Sequence, residues 1–430
     1  MNDWHRIDIA GLHAAYAAGS ADPQAVLAHH LERIERIDPA LRSFIALDRA
    51  GAQAAAAESA ARWRDGTARA LEGVPVAVKA NLAVAGLEWN AGMGARRGVI
   101  AGRDAAAVAR LRDAGAIVLG TLNMHEAALG ATSDNPFFGR VANPHDTGRT
   151  PGGSSGGSGA AVAGGLCTVA LGTDTMGSVR IPAAYTGIYG LKPSNGQVPD
   201  DGLVPLGRAL DTIGPLARSI GDLAVLLDVL APGLGEGCDP TRLFVPDAAL
   251  IEPCEPAIAT AHARACTALG LPVETITLSD SPGSVQAAGF VSVARELEVY
   301  LGDTPRDRLS PELCFLLDYA ARADAERSAA VLARTRATLL AAIGEDGVLL
   351  TPAAPQAAFP HTNRPPANQA MFTALANVAG LPALVVPAGT DAAGMPVAVQ
   401  LIGASGADRA LLRLARRIDT GFVPSPILLS

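Results

Sequence analysis

The chain has 430 residues, 49% of them hydrophobic and 18% charged, which excludes a disordered chain and permits a large buried core. At roughly 100–200 residues per domain, this length admits two or three domains or one large α/β domain. The net charge of −8 argues against a broad basic face for nucleic acid or acidic lipid, but not against a subunit whose partner holds the nucleic acid.

In chain order, residues 22–37 open with an Asp-Pro helix start and place Val26, Leu27, Leu31, Ile34 and Ile37 on one face. A short strand is expected at 44–47 and an alanine-rich helix at 50–65. The run 73–79, GVPVAVK, reads as a buried strand with a lysine at its end. A helix over 104–114 and a strand over 116–119 follow. Residues 148–165 form a Gly/Ser loop running into a helix of small residues, then a strand at 167–172 and a turn at 173–178. Helices are expected at 220–231 and 322–343, a strand at 348–351 and a proline-rich loop at 352–367. A helix over 369–379, strands at 384–387 and 397–401, and a helix over 406–417 complete the series. Strand and helix in alternation predict an α/β domain whose sheet is covered on both faces. The stretch 232–320, rich in Pro and Gly, is the least patterned and reads as an inserted subregion or the variable rim of a pocket. No internal repeat is found.

The five cysteines (Cys167, Cys238, Cys254, Cys266, Cys314) are scattered and odd in number, and none forms a CxxC pair. That pattern points to a reduced compartment without a disulfide framework or a zinc site. The N-terminus lacks the basic-then-apolar order of a signal peptide. No run reaches the ~18 apolar residues of a membrane span. The expected location is cytoplasmic, with neither membrane nor direct nucleic-acid contact.

Lysine and arginine total 34, yet only Lys79 and Lys192 are lysines. An Arg-rich codon bias removes lysines that arginine can replace. Arginine stays protonated at any working pH, whereas a buried lysine can be neutral and act as a base. The two survivors are therefore candidates for special roles.

Gly152-Gly-Ser-Ser-Gly156 satisfies the Gly-x-Ser-x-Gly pattern of a nucleophile elbow. Such an elbow requires a later histidine, and only His262 and His361 lie downstream, neither in a distinguishing context. The loop also lacks the Gly-Lys-Ser/Thr that closes a phosphate cradle. A flexible linker is disfavoured because the following AAVAGG must pack closely on something. A hydrolase without histidine needs another base, and a neutral lysine can serve. The sequence offers Lys79, the loop serines, and Ser178 in a second turn of short side chains.

These segments resemble the amidase signature family. The matching runs are GGSSGGSGAAVAGGLCTVALGTDTMGSVRIPAAYTGIYGLKP (152–193), GVPVAVKANLAVAG (73–86), LDTIGPLARS (210–219) and AGLPALVVPAG (379–389). The resemblance implies a single large α/β domain with a mixed β-sheet core sandwiched between layers of α-helices. Within 1–430 it implies an N-terminal helical region (1–65) and a core carrying the catalytic residues (66–220). A variable substrate rim (232–320) and the C-terminal part of the core (345–430) follow.

The family's serine, cis-serine and lysine fall on Ser178, Ser154 and Lys79, with Ser155 the rival for the cis-serine place. The turn of Thr175, Met176, Gly177 and Ser178 resembles the family's oxyanion hole, in which backbone N–H groups meet a developing alkoxide. Asp174 and Arg180 resemble residues that brace this turn, as does Asp211, while Lys192 in GLKP reads as structural, in a turn beneath the site. Trp89, Asn90, Met93, His125, Tyr189 and Asn368 are further candidates for a pocket lining.

Two positions depart from the family's usual pattern. Met176 stands where glycine is commonest, and its thioether either narrows the pocket or fills the core. Ala80 stands where aspartate usually follows the lysine. Losing that carboxylate removes a force favouring the ammonium form, so an unusually low Lys79 pKa is expected.

The resemblance implies a hydrolase of carboxamide C–N bonds working through an acyl-enzyme on Ser178, without metal or organic cofactor. A low aromatic fraction of 4% points to a small or polar amide. One alternative is the glutaminase subunit of a tRNA-dependent amidotransferase. Another, of a different class, is a non-catalytic binding protein on the same fold. The partners the family suggests are a second copy, forming a homodimer, and a small accessory subunit.

Overall fold

Strand Pro75–Lys79 is buried at every position, as an unbroken apolar run requires of a strand covered on both faces. Each fully buried valine in it contributes about 1.5–3 kcal/mol relative to an exposed one. The computed structural model describes residues 3–419 and sets this strand in a mixed sheet of eleven strands. From edge to edge the order begins Phe44–Leu47, Ile117–Leu122, Pro75–Lys79, Val169–Asp174, Thr212–Ala217 and Tyr189–Lys192. It continues Ala383–Thr390, Pro396–Gly403, Gly347–Pro352, Arg242–Pro246 and Val273–Ile276. Helices flank the sheet, and the fold is a single α/β domain. Pro75–Lys79 runs parallel to both neighbours, with Val78 opposite Leu171. The carboxyl ends of two adjacent strands, at Lys79 and at Thr173 and Asp174, therefore emerge side by side, where open α/β sheets form their crevices.

Helix Gly156–Ala163 (GGSGAAVA) is buried throughout. A Cβ on Gly157 would stand 2.2 Å from the Asn123 carbonyl oxygen, and one on Gly159 would stand 3.0 Å from Pro182 Cβ. The small residues thus let the helix lie against Arg180–Thr186 and the strands beneath it.

The stretch 232–320 divides in two. Arg242–Pro246 and Val273–Ile276 extend the sheet, and helix Pro256–Leu269 packs on its strands, so this half belongs to the core rather than to a rim. Helices Pro282–Leu301 and Pro311–Arg322 form a cavity wall. Three of the prolines that suggest loops here, Pro256, Pro282 and Pro311, are instead the first residues of helices, where proline lacks only an N–H that would go unused. Two local expectations are corrected. Lys192 ends a central strand rather than sitting in a turn, and the helix expected over 369–379 is only Ala374–Ala379, preceded by turns.

Candidate active site

Lys79 is fully buried, and its Nζ lies 2.8 Å from Ser154 Oγ and 2.8 Å from Thr173 Oγ1. Thr173 Oγ1 also accepts from Asn81 Nδ2 at 3.0 Å. Burial pulls the Lys79 pKa down from 10.5 to about 7, against the charges of Asp174 and Asp211, which favour the ammonium form. Ala80 beside it is buried among apolar side chains, so no carboxylate adds to those two.

The Gly153–Ser154 peptide is cis. The Ser154 carbonyl accepts from the His125 amide at 3.1 Å and from Ser133 Oγ at 3.2 Å. The two loop serines have separate tasks. Ser154 meets Lys79, whereas Ser155 Oγ donates to the Thr173 carbonyl (3.2 Å) and accepts from the Thr173 amide (3.3 Å), stitching the loop to the strand. The Ser155 amide donates to the Ser178 carbonyl at 3.1 Å, which joins the loop to the second turn. Ser178 is 9% exposed and borders a cavity.

That turn is braced from beneath. Asp174 and Arg180 are fully buried and paired at 2.8 Å. Burial alone would raise the Asp174 pKa, but the Arg180 charge and hydrogen bonds outweigh it and hold the carboxyl well below the usual range. Arg180 also donates to the Thr373 carbonyl, Gln400 Oε1 and Asn377 Oδ1. Asp174 Oδ1 accepts from the Gly177 amide at 2.7 Å. An amide has one hydrogen, so Gly177 is corrected from oxyanion donor to brace. Its own position admits no side chain: φ is +120°, and a Cβ would stand 2.2 Å from Thr373 Oγ1. Asp211 accepts from Thr175 Oγ1 at 2.6 Å and from the amides of Leu206 and Gly207. Burial still lifts its pKa to about 6.

The cavity beside Ser178 has a volume of about 470 Å³. Thr175 and Met176 border it, and a Cβ on Gly289 would stand 2.9 Å from Met176 Sδ, so the thioether both borders the cavity and packs on helix Pro282–Leu301. Much of the wall is apolar, with Leu129, Leu206, Phe290 and Val293 as well as Phe315 and Tyr319. Three aromatic residues, Phe290, Phe315 and Tyr319, thus border the cavity, where a low aromatic fraction pointed to a small or polar amide. Of the six further pocket candidates, only His125 borders the cavity. Trp89 donates to the Asn81 carbonyl, Asn90 accepts from the Gly92 amide, Tyr189 bonds Asp419, Met93 is core, and Asn368 is exposed. Sequence reasoning missed Thr173, Asn81, Asn377 and Gln400. Thr173 lies inside the 152–193 signature run and Asn81 inside the 73–86 run, two residues after Lys79, whereas Asn377 and Gln400 carried no local signal. Among the described residues no three His, Cys, Asp or Glu side chains converge as metal ligands, and no helix is long and apolar enough to cross a membrane.

A mixed eleven-stranded sheet carrying a buried lysine and serine-bearing loops at its carboxyl edge defines a class of α/β hydrolytic enzyme. The Amidase family model matches residues 25–236 and 306–412, and the chain belongs to the amidase signature family of enzymes acting on amide C–N bonds. The chain is 34% identical to a glutamyl-tRNA(Gln) amidotransferase subunit from Roseiflexus castenholzii, over 96% of the chain and 95% of that relative. A chain of a vestigial protein complex, described as revealing the evolutionary origins of an s-triazine catabolic enzyme, superposes with a TM-score of 0.89 at 30% identity, over 97% of this chain and 99% of that one. The peptide amidase of Stenotrophomonas maltophilia superposes at 0.83 and 28% identity, over 99% of each chain.

Proposed function

We propose that the chain hydrolyses a carboxamide through an acyl-enzyme on Ser178, with Ser154 and Lys79 as its proton relay. The observation that carries this reading is the buried Lys79 amine, its pKa drawn down to about 7, at 2.8 Å from Ser154 Oγ on a loop joined to Ser178 by the Ser155 amide. A serine hydroxyl is too weak an acid to attack an amide unaided. As Ser178 Oγ attacks the carbonyl carbon, its proton passes to Ser154 Oγ and the Ser154 proton passes to Lys79 Nζ. The alkoxide is met by the amides of Thr175, Met176 and Ser178, each such donor being worth about 2.7–4 kcal/mol in comparable sites. Collapse breaks the C–N bond, and the relay runs backwards to protonate the departing amine. Water then attacks the acyl ester through the same groups and releases the acid.

A second reading is favoured by the names of the relatives: the glutaminase subunit of an amidotransferase, working with partner subunits on a misacylated tRNA. The cavity lining favours an independent amidase acting on an amide without a carboxylate. No Lys or Arg is among the described residues that border it, so no fixed cation there would pair with the α-carboxylate of glutamine. A homodimer and a small accessory subunit belong to this proposal, as does a cytoplasmic location. The deciding experiment scores ammonia release from aliphatic, aromatic, malonamide-like, ureido and glutamine amides, with Ser178→Ala as the blank. Turnover of a simple amide by the isolated chain supports the first reading. Glutamine turnover that appears only with a co-purifying large partner supports the second. Turnover undiminished in Ser178→Ala overturns both.

A further inference from the structure

Helix Pro311–Arg322 carries two apolar faces, and folding accounts for only one of them. Leu313, Leu317 and Ala320 recur at helical spacing and are buried in the core. Phe315 and Tyr319 stand one turn apart with Leu316 beside them, and all three border the cavity that Ser178 borders. Phe315 is 68% exposed and Tyr319 is 56% exposed, so neither ring is spent on the core. The Tyr319 ring lies 6.1 Å from that of Phe290, which stands on helix Pro282–Leu301 and lines the same cavity. Open aromatic surface is therefore continuous with the lining around Ser178. The cavity, at about 470 Å³, falls within the range that encloses a small organic molecule. Glu312, one turn before Leu316, adds a carboxylate to this border, while Lys and Arg are missing from its described lining.

Resting on the reading that this cavity receives the amide, we infer that Phe315 and Tyr319 set substrate choice by packing on the far end of the substrate, and that the preferred substrates are neutral amides ending in an aryl group. A ring that reaches these side chains removes apolar surface of both partners from water and gains the geometry of an aromatic pair. A short alkyl amide leaves both rings wet. A carboxylate-ended amide brings a negative charge toward Glu312 without a cation to offset it, which is the worst of the three.

Binding separates this inference from the chemistry. Calorimetry on the Ser178→Ala protein compares butyramide, glutaramic acid and two phenyl amides. Phenylbutyramide carries its ring at the end of the acyl chain, and N-phenethylacetamide carries it on the amine side. At least one phenyl amide is expected to bind about tenfold or more tighter than butyramide, the low end of what burying an aromatic ring supplies, and glutaramic acid weakest. Phe315→Ala and Tyr319→Ala should each cut that phenyl-to-butyramide ratio severalfold. Tyr319→Phe should keep it, since the ring and not the hydroxyl is used. Both side chains are more than half exposed, so truncating them spares the core. Val299→Ala, at a residue 84% exposed on helix Pro282–Leu301 but outside the cavity lining, should leave the ratio alone. A ratio near one for both phenyl amides, no measurable binding of either, a ratio that survives both alanine substitutions, an equal fall in Val299→Ala, or tightest binding of glutaramic acid would each overturn the inference. The nucleophile assignment fails by a different sign, undiminished turnover in Ser178→Ala.

Discussion

Replacing Asp174 by asparagine tests the brace and the base together. The carboxylate accepts from the amides of Gly177 and Val179, from Arg180 Nε and Nη2, and from Asn377 Nδ2, all at 2.7–3.1 Å. Asparagine has nearly the same shape, but its NH₂ must face one set of these donors. The substitution also leaves the Arg180 guanidinium fully buried with only neutral acceptors. Uncovering one member of a buried pair costs about 3–5 kcal/mol. The second consequence has the opposite flavour. The Asp174 charge is the first-ranked force raising the Lys79 pKa against burial. Without it the amine is neutral at still lower pH, so the acid limb of the rate profile moves below pH 7 even as the protein weakens. Urea unfolding at unchanged slope reads the first effect, and kcat/KM against pH, at a temperature where the variant is folded, reads the second. A stability loss under about 1 kcal/mol, the scale of an exposed pair, would refute the buried-brace argument. An acid limb displaced to higher pH would refute the electrostatic one.

In the unaltered protein, kcat/KM for any accepted amide should rise with pH through about 7 as Lys79 sheds its proton, then stay level; an acid limb above pH 8 contradicts the neutral-amine argument. The folded Lys79 pKa is depressed from 10.5, so between about 7 and 10.5 the unfolded chain binds more protons and stability rises with pH. Denaturation at pH 7 and pH 9.5 should show this rise, and Lys79→Met should diminish it, while Lys192, with the same downward shift, keeps part of it. Gly289→Ala puts a methyl 2.9 Å from Met176 Sδ, a flexible contact that can yield toward the cavity. KM should rise several-fold with little loss of stability, and adding Met176→Gly should restore it; a KM unchanged by Gly289→Ala means the thioether does not shape the cavity.

What the sequence disclosed tracks how local its signals are. The strand ending at Lys79 was visible because a strand buried on both faces must be apolar throughout, and the small-residue helix because close backbone approach at Gly157 and Gly159 leaves no room for a side chain. The signature run placed Ser154 and Ser178, and folding brings the two turns together. Other features depend on tertiary contacts that no spacing encodes. Gly177 resembles an oxyanion donor until the Asp174 carboxylate is seen to hold its hydrogen. Val273–Ile276 is an edge strand with three exposed positions, so it lacks the buried pattern that reveals a strand. Asn377 and Gln400 lie about 200 residues from Arg180 in the chain and meet it only in the folded structure.

The two lysines show what separates the proposed base from a structural amine. Both are fully buried, and burial draws both to about pKa 7. A perturbed pKa therefore cannot distinguish them, and neither can their rarity in the sequence. Lys192 Nζ is committed to the Pro193 carbonyl at 2.7 Å and to Asn195 Oδ1 at 2.9 Å, two acceptors with no proton to give. Lys79 Nζ instead meets two hydroxyls, Ser154 and Thr173, and a hydroxyl can pass a proton in either direction. A lone pair that has a proton source is a base, and one faced only by acceptors is held as a donor. Neighbouring oxygens that can give up hydrogen, more than the depth of burial, therefore distinguish Lys79 as the lysine of the proposed relay.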